Sequence, residues 1–348
     1  MLEILSHLFV YNLINHSNAD SMIDYMKARY MDFINEGVGS FDDIAIEFFH
    51  FQRQHNEVYK HFLRLLNHDL SRIRTIFEIP FMPVSFFKNS EIKTGKWVEE
   101  IVFESSSTTG NIPSRHFVND LSFYKKNAEF CFNYFFGDLS DYCIFALLPS
   151  YLERESSSLI HMTDHFIKRS ECGNFYKNDF DRLYRDLSEY GGNKKIILLG
   201  VTFALLEFVY KNSIRREIMV METGGMKGRG PELPREAVHE KLLSAFNITK
   251  IFSEYGMTEL MSQAYSKGDG IFYPAPSMKI MISDIYDPFT FLPNNRQGKI
   301  NIIDLANFHS CCFLATDDLG ISPDGIHFKV LGRTDESDIR GCNLLNFN

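Results

Sequence analysis

A chain of 348 residues exceeds a typical small domain, so it predicts either one large unit with subdomains or two domains. Hydrophobic residues make up 45% of the sequence and charged residues 23%, as in an ordinary globular protein with a sizeable core. The net charge of -9 excludes a nonspecific binder of DNA or RNA, so nucleic acid is not expected as the main partner.

The six cysteines form no CxxC pair and no zinc-type spacing with histidine. A metal staple or a disulfide framework is therefore not expected, and a reducing cytoplasm fits best. The first twenty residues are apolar, but they lack a basic start and a cleavage site and are too short and interrupted to span a bilayer. We expect them to form the first core helix, without membrane insertion.

Residues 1–78 are predicted to be helical. The strongest apolar stripe steps alternately by four and three along one helix face, through Ile44, Phe48, Phe51, His55, Val58, Phe62 and Leu65. Ser40 is placed to cap this helix. The histidines of this segment (His50, His55, His61 and His68) are never four residues apart, which favours helix-surface or core-edge positions over a metal site.

After the prolines at 80 and 83, short apolar runs alternate with helical stretches, which predicts a mainly parallel α/β core. The predicted strands are Trp97–Phe103, Cys143–Leu148, Lys195–Val201, Ile218–Met221 and Ile248–Phe252. From about residue 277 the pattern changes to strands joined by turns. We therefore predict three parts: an N-terminal helical segment (1–78), an α/β core (79–276), and a smaller antiparallel β subdomain with a C-terminal tail (277–348).

A run of hydroxyl residues ending in glycine directly follows the first predicted strand: Ser106, Ser107, Thr108, Thr109 and Gly110. Backbone N–H and side-chain O–H groups of such a run can surround phosphate oxygens. The lysine of a Walker A loop is absent, and an ordinary polar loop is the alternative.

A second glycine-rich segment, 223–230, follows another predicted strand and contains Gly224, Gly225 and Lys227. Its glycines allow a ligand to approach the backbone closely, and Lys227 adds a cation at the same sheet edge. A flexible surface loop is the alternative.

The segment 254–259 reads EYGMTE and lies just beyond a predicted strand. The Tyr255 ring could cover an adenine, the Thr258 hydroxyl could meet a phosphate, and the Glu259 carboxylate could hold Mg²⁺. An ordinary strand-to-helix turn would look similar.

Two further motifs lie near the C-terminus, TDDLG at 316–320 and GRTD at 332–335. Asp318 is an acid suited to ribose hydroxyls, and Arg333 is suited to ribose or phosphate. Each motif alone could be a solvated turn.

Together, in this order and spacing, the five motifs resemble those of the adenylate-forming acyl- and aryl-CoA synthetase superfamily. Within it, the chain resembles the LuxE-type acyl-protein synthetase family, on the segments 148–162, 221–230, 254–265 and 338–345. The resemblance begins at about residue 80. It implies the α/β fold of the N-terminal domain of adenylate-forming enzymes, with largely parallel mixed sheets and a smaller antiparallel β subdomain.

The resemblance also implies residue roles, with ATP and Mg²⁺ as cofactors. The phosphates would contact Ser106, Ser107, Thr108, Thr109 and Gly110; adenine would lie between Gly224, Gly225 and Tyr255; the ribose would bind Asp318 and Arg333; Thr258 would touch the α-phosphate and Glu259 would coordinate Mg²⁺.

Two departures from the superfamily pattern affect the expected chemistry. Ser106 replaces the usual first glycine of the phosphate loop. The chain stops some fifteen residues after GRTD, so the mobile C-terminal domain and its catalytic lysine are expected to be absent. Lys227 is our hypothesis for the replacing cation.

The LuxE-type resemblance implies that Cys342, in RGCNLL, receives the acyl group. Arg340 nearby would favour the reactive thiolate. A small residue packed in a terminal strand is the alternative for Cys342. Cys311 and Cys312 lie in an apolar run and are predicted to be core residues. The phenylalanines around 117–136 and 203–208 could line an acyl pocket or fill the core.

The predicted function is ATP-dependent activation of a long-chain fatty acid and transfer of the acyl group to a protein cysteine. By resemblance the acyl-acceptor protein partner is a fatty-acyl reductase. One alternative is a ligase that uses coenzyme A or a carrier-protein thiol as acceptor. Another is a non-catalytic nucleotide- or acyl-binding subunit.

Overall fold

The described part of the chain alternates helices and strands. The computed structural model describes residues 19–66, 70, 73–106, 112–149, 156–211, 214, 216–224 and 235–333. Its helices are α1 (Ala19–Glu36), α2 (Phe41–His55), α3 (Glu57–Leu65), α4 (Phe86–Asn89), α5 (Leu121–Phe136), α6 (Ser158–Ser170), α7 (Phe180–Glu189), α8 (Thr202–Lys211) and α9 (Arg235–Phe246). Its strands are β1 (Met82–Pro83), β2 (Ile101–Glu104), β3 (Arg115–Val118), β4 (Tyr142–Leu147), β5 (Gly173–Phe175), β6 (Lys195–Val201), β7 (Met219–Thr223), β8 (Ile251–Tyr255), β9 (Ala264–Ser266), β10 (Phe272–Pro274), β11 (Met278–Ser283), β12 (Gln297–Asp304), β13 (Phe313–Ile321) and β14 (Lys329–Arg333).

The long amphipathic helix predicted near the N-terminus is two helices. Ser40 caps α2 as predicted, because its hydroxyl accepts a hydrogen bond from the Asp43 backbone N–H at 3.1 Å. At Asn56 the backbone is extended, with φ -102° and ψ 106°, and its side chain caps α3. The buried Asn56 amide also donates to the Ser310 carbonyl at 2.9 Å. This tertiary contact accompanies the break in a helix that the periodicity predicted as continuous. Leu65, the last residue of the predicted apolar stripe, is 69% exposed and so does not pack in the core.

The first large sheet has seven strands in the order β10-β9-β8-β7-β6-β4-β5. The strands β5, β4, β6, β7 and β8 pair in parallel in that order, and β9 and β10 add antiparallel strands at the β8 edge. The predicted parallel core is therefore confirmed. The predicted strand Trp97–Phe103 is wrong in extent and place, because only Ile101–Glu104 is extended and it pairs with β3 in a separate hairpin.

The second sheet has the order β1-β13-β12-β11, with β14 also paired to β13. Its antiparallel pairs confirm the predicted change of pattern near the C-terminus. Strand β13 contains the TDDLG motif, which is extended backbone with alternating burial and not the solvated turn that the motif alone allowed. The short strand β1 joins this sheet in parallel to β13.

Apolar side chains fill both faces of the parallel sheet. One core cluster contains side chains of α1–α3, of the second sheet and of one face of the parallel sheet. The other lies between α7–α9 and the opposite face of the parallel sheet. Phe123, Phe132, Phe203 and Phe208 are all buried in these clusters, so core packing accounts for them. No helix in the described part of the chain is both long and apolar enough to cross a membrane.

The cysteines partly contradict the sequence-based expectation. Cys143 on β4 and Cys172 just before β5 form a disulfide, although none was predicted. The parallel pairing of β4 with β5 brings these two residues together despite a separation of 29 residues in sequence. Cys311 and Cys312 are fully buried, as predicted.

Candidate functional site

Two pairs of neighbouring strands bring the motifs together. In the parallel sheet, β7 and β8 lie side by side, and Thr223 at the end of β7 is in register with Glu254 near the end of β8. In the second sheet, Asp318 on β13 is directly opposite Arg333 on β14. Reciprocal backbone hydrogen bonds between Phe272 and Phe328, at 2.7 and 3.1 Å, join the edges of the two sheets. The carboxyl end of β8 therefore faces the pair on β13 and β14.

Tyr255, Asp318 and Arg333 are in direct contact. The Tyr255 hydroxyl donates to Asp318 Oδ2 at 2.7 Å, and Arg333 Nε lies 3.3 Å from Asp318 Oδ1. Burial raises the pKa of Asp318, and Arg333 and the Tyr255 hydroxyl oppose that rise. The Tyr255 ring packs edge-on against Phe328, with ring centroids 5.2 Å apart.

Glu259 lies beside this group and is buried. Burial raises the pKa of its carboxyl group; Ser114 and Arg333 oppose the rise, and Asp318 reinforces it. Among the described residues, no group of three or more His, Cys, Asp or Glu side chains is arranged to hold a metal ion. Glu259 alone would leave most positions around a cation to phosphate oxygens and water, which is the usual manner of binding Mg²⁺.

Buried side chains hold the backbone of the turn that carries Thr258 and Glu259. The His116 Nδ1–H donates to the Thr258 carbonyl at 2.8 Å, and burial lowers the pKa of His116 to about 4, so the ring is neutral at pH 7. The Asn307 amide donates to the Glu259 carbonyl at 2.8 Å. These contacts involve only the backbone of the turn, and the Thr258 side chain is partly exposed.

The chain just beyond this turn is anchored on Asp304. The backbone N–H groups of Met261 and Ser262 donate to Asp304 Oδ2 at 2.8 and 3.0 Å, and the Ser262 hydroxyl donates to Oδ1 at 2.7 Å. Asp304 is fully buried. The buried carboxylate therefore orders the chain between Glu259 and β9 through several hydrogen bonds.

At the end of β7, Gly224 has a φ of 69°, a conformation that glycine adopts without strain. Its carbonyl accepts a hydrogen bond from the Thr202 hydroxyl at 3.1 Å. The neighbouring Thr223 hydroxyl hydrogen-bonds the buried Glu254 carboxyl group, and burial raises the pKa of Glu254 to about 7. The glycine-rich segment thus begins from an ordered strand end next to Tyr255.

The structure brings four of the residues predicted from sequence into one cluster: Tyr255, Glu259, Asp318 and Arg333. Thr258 lies on the same turn as Glu259, and Gly224 directly follows the adjacent strand β7. Ser106 is exposed at the edge of the hydroxyl-rich loop. Several predicted residues lie outside the described residues: Ser107, Thr108, Thr109, Gly110, Gly225, Lys227 and Cys342.

Although the hydroxyl-rich loop itself is outside the described residues, both of its flanks are ordered. The Ser105 hydroxyl accepts a hydrogen bond from the Ser114 backbone N–H at 2.9 Å, and the Ser105 N–H donates to the Ser114 carbonyl at 3.0 Å. Ser114 also interacts with Glu259. The loop therefore starts and ends beside the cluster.

Sequence reasoning missed the residues that support the site: His116, Asp304, Asn307, Arg235, and Asn127, whose amide donates to the Met261 carbonyl at 2.8 Å. Arg235 stacks over the Phe272 ring at 4.8 Å from its centroid and lowers the pKa of Asp318, so it is a second cation near the cluster. Of these residues, Asp304 had the clearest signal in the sequence. It is an acid at the end of an apolar strand, and a buried acid needs hydrogen-bond partners.

The Tyr255–Asp318 hydrogen bond gives a stability prediction. Replacing Tyr255 with Phe is expected to lower the free energy of unfolding by about 1–3 kcal/mol, because a buried carboxylate loses a donor. Tyr265→Phe is the matched control: its hydroxyl is also buried but has no hydrogen-bond partner in the described part of the chain. We expect no loss of stability in the control. Urea unfolding at pH 7 measures both, and equal losses would contradict the assignment.

The described residues have the α/β fold of the N-terminal domain of adenylate-forming enzymes. The predicted fold class is confirmed. The chain is similar in structure to 2-hydroxyisobutyryl-CoA ligase in its postadenylation state in complex with R3-HIB-AMP, with a TM-score of 0.61 and 12% identity over 85% of this chain and 68% of that chain.

Two other solved structures share this fold. ATP-bound MatB from Rhodopseudomonas palustris has a TM-score of 0.52 and 13% identity, covering 68% of this chain and 49% of that one. O-succinylbenzoate coenzyme A synthetase (MenE) from Bacillus subtilis, in complex with AMP, has a TM-score of 0.51 and 15% identity, covering 81% and 57%. The chain therefore spans about half the length of MatB. No family profile and no curated protein matches this sequence.

Proposed function

We propose that this chain uses ATP to activate a carboxylic acid as an acyl-adenylate and then transfers the acyl group to a thiol. One observation carries the proposal: Tyr255, Glu259, Asp318 and Arg333 meet at the carboxyl end of a parallel sheet in this fold. The solved structures of MatB with ATP and MenE with AMP support a nucleotide as the ligand.

The cluster has the chemistry that a nucleotide needs. Tyr255 and Arg333 hold the Asp318 carboxyl group in place, and it would accept hydrogen bonds from ribose hydroxyls. Gly224, at positive φ, has no side chain to obstruct a ring that approaches the strand end. Tyr255 is the last residue of β8, and its ring would form the other side of an adenine site.

Glu259 is suited to a divalent cation. The pKa of its buried carboxyl group is raised, because the nearby Arg333 does not fully offset the cost of burying the charged form. A bound Mg²⁺ would supply that compensation and would neutralise negative charge on the phosphates. The Thr258 hydroxyl, one residue away, is partly exposed and would donate to a phosphate oxygen.

The proposed reaction has two steps. A carboxylate oxygen of the acid attacks the α-phosphorus of ATP, and the bond to the pyrophosphate oxygen breaks. A thiolate then attacks the acyl carbon, and AMP leaves with the carboxylate oxygen. Arg333 and the Thr258 hydroxyl would stabilise charge on the nucleotide during the first step.

The finer proposal comes from the LuxE-type resemblance. We infer that the acid is a long-chain fatty acid, that Cys342 accepts the acyl group, and that the partner is a fatty-acyl reductase. Lys227 is the proposed cation over the reacting phosphate. Both residues lie outside the described residues, so only the sequence motifs support these roles.

Intact-mass measurement tests the finer proposal. The protein is incubated with ATP, Mg²⁺ and mixed fatty acids, and its mass is recorded before and after treatment with hydroxylamine, which cleaves thioesters. We expect a fatty-acyl adduct on the wild type that hydroxylamine removes and that Cys342→Ser lacks. An unmodified wild type would contradict acylation of Cys342.

The solved CoA ligases favour a second acceptor, coenzyme A. In that case acyl-CoA would accumulate when coenzyme A is added, and Cys342→Ser would retain full turnover. A non-catalytic binding subunit would release no pyrophosphate with any acid of a panel of fatty and aromatic acids. Intact mass, acyl-CoA formation and pyrophosphate release together separate the three functions.

A further inference from the structure

A chain of hydrogen bonds connects the N-terminal helix α1 to the turn that carries Thr258 and Glu259. The Tyr30 hydroxyl on α1 donates to Asn127 Oδ1 on α5, 97 residues further along the chain. The Asn127 Nδ2 group then donates to the Met261 carbonyl at 2.8 Å and to the Ser262 hydroxyl at 3.1 Å. Four residues thus link α1 to the segment two residues beyond Glu259.

The Asn127 amide is hydrogen-bonded at both of its ends. An amide can turn over and exchange its donor and acceptor ends. The Met261 carbonyl can only accept, so it takes the NH₂ end, and the Tyr30 hydroxyl donates to Oδ1 at the other end and fixes the amide there. Burial raises the pKa of Tyr30 well above its usual value, so its hydroxyl keeps the proton that it donates.

Every link in this chain is buried, so water cannot replace a lost partner at low cost. Tyr30 is 1% exposed, Asn127 4% and Ser262 0%. The Ser262 hydroxyl in turn donates to Asp304, which also accepts hydrogen bonds from the Met261 and Ser262 N–H groups. A change at Tyr30 would therefore reach the backbone that directly follows the turn.

The helix α1 is itself held in place against α5. Lys27 Nζ lies 2.9 Å from Asp120 Oδ2, and Asp120 is the N-cap of α5. The Tyr30 ring packs edge-on against Phe123, with centroids 5.6 Å apart. These contacts place the Tyr30 hydroxyl at one defined position relative to α5.

We propose that Tyr30 is a positioning residue that, through Asn127, holds the Thr258–Glu259 turn in the geometry required for binding Mg·ATP. The effect on Mg·ATP rests on the proposed function, whereas the effect on the turn does not. The N-terminal helical segment is thereby part of the active-site support.

Tyr30→Phe removes only the hydroxyl, and Tyr59→Phe is its matched control. Tyr59 is also fully buried in the N-terminal helical segment, and its hydroxyl donates at 2.6 Å to the Pro80 carbonyl, outside this hydrogen-bond chain. Both variants lose one buried, hydrogen-bonded hydroxyl and should lose similar stability. A general effect of stability would therefore appear equally in both.

Two measurements on the full chain separate positioning from stability. In Tyr30→Phe we expect amide hydrogen exchange at Met261 and Ser262 to be at least about tenfold faster, and the KM for Mg·ATP in pyrophosphate release to rise about tenfold. In Tyr59→Phe we expect both quantities to stay within about twofold of the wild type. Equal exchange at these two amides in the two variants would overturn the proposal.

The exchange measurement also separates this proposal from the proposed function. If the wild type releases no pyrophosphate, the proposed function fails, and exchange alone decides whether Tyr30 positions the turn. If the wild type is active and exchange is faster in Tyr30→Phe while its KM for Mg·ATP is unchanged, the role in Mg·ATP binding is overturned.

Discussion

Replacing Glu259 with Gln is expected to lower acid-dependent pyrophosphate release by about 100-fold or more, because an amide is a poor ligand for the divalent cation that would neutralise the phosphate charge. The free energy of unfolding should not fall. Burial already raises the pKa of Glu259, so a neutral side chain of the same size is at least as stable there. Initial rates at saturating ATP and Mg²⁺, with urea unfolding of the same samples, measure both effects.

Glu240→Gln is the control for this prediction. Glu240 is exposed on α9, and its replacement changes the net charge in the same way. Activity of the control should match the wild type. A Glu259→Gln variant that keeps more than about a third of wild-type activity would show that Glu259 does not serve the reaction.

Glu254 makes stability depend on pH. Burial raises the pKa of Glu254 to about 7, against an ordinary value of 4.5. A group with a raised pKa in the folded state contributes full stability below its unfolded pKa, and this contribution is lost as the pH rises through 7. At about 1.4 kcal/mol per pKa unit, the loss between pH 4.5 and 8 is about 3 kcal/mol.

Glu254→Gln should remove this loss, because the amide does not titrate and its oxygen can still accept from the Thr223 hydroxyl. The neighbouring tyrosines, Tyr124 and Tyr265, have pKa values raised by burial and stay neutral throughout this range. The variant should therefore gain about 3 kcal/mol relative to the wild type between pH 4.5 and 8 in urea unfolding. A constant difference across this range would contradict the raised pKa.

Local chemistry explains which parts of the fold could be predicted. Ser40 was identified as a helix cap because the cap acts within one turn. The break at Asn56 was not predicted, because the apolar stripe continues past it and its contact with the Ser310 carbonyl, 254 residues away, forms only in the folded chain. The same holds for the disulfide, since Cys143 and Cys172 meet only after β4 and β5 pair.

The candidate site shows the same division. Tyr255, Glu259, Asp318 and Arg333 were recognisable because each stands in a motif whose residue types suit a nucleotide. Asn127 was not, because an amide within an aromatic helix has no visible partner until the fold brings Met261 to it. Residues that touch a ligand leave a local pattern, whereas residues that support them are defined by tertiary contacts.

The most direct test of adenylate formation follows an oxygen atom. The protein is incubated with ATP, Mg²⁺, a thiol acceptor and fatty acids labelled with ¹⁸O in the carboxyl group, and the released AMP is examined by mass spectrometry. If the carboxylate attacks the α-phosphorus, AMP gains one ¹⁸O atom for each acyl group transferred. If acyl transfer proceeds while AMP stays unlabelled, the acid is not activated as an acyl-adenylate and the central claim is wrong.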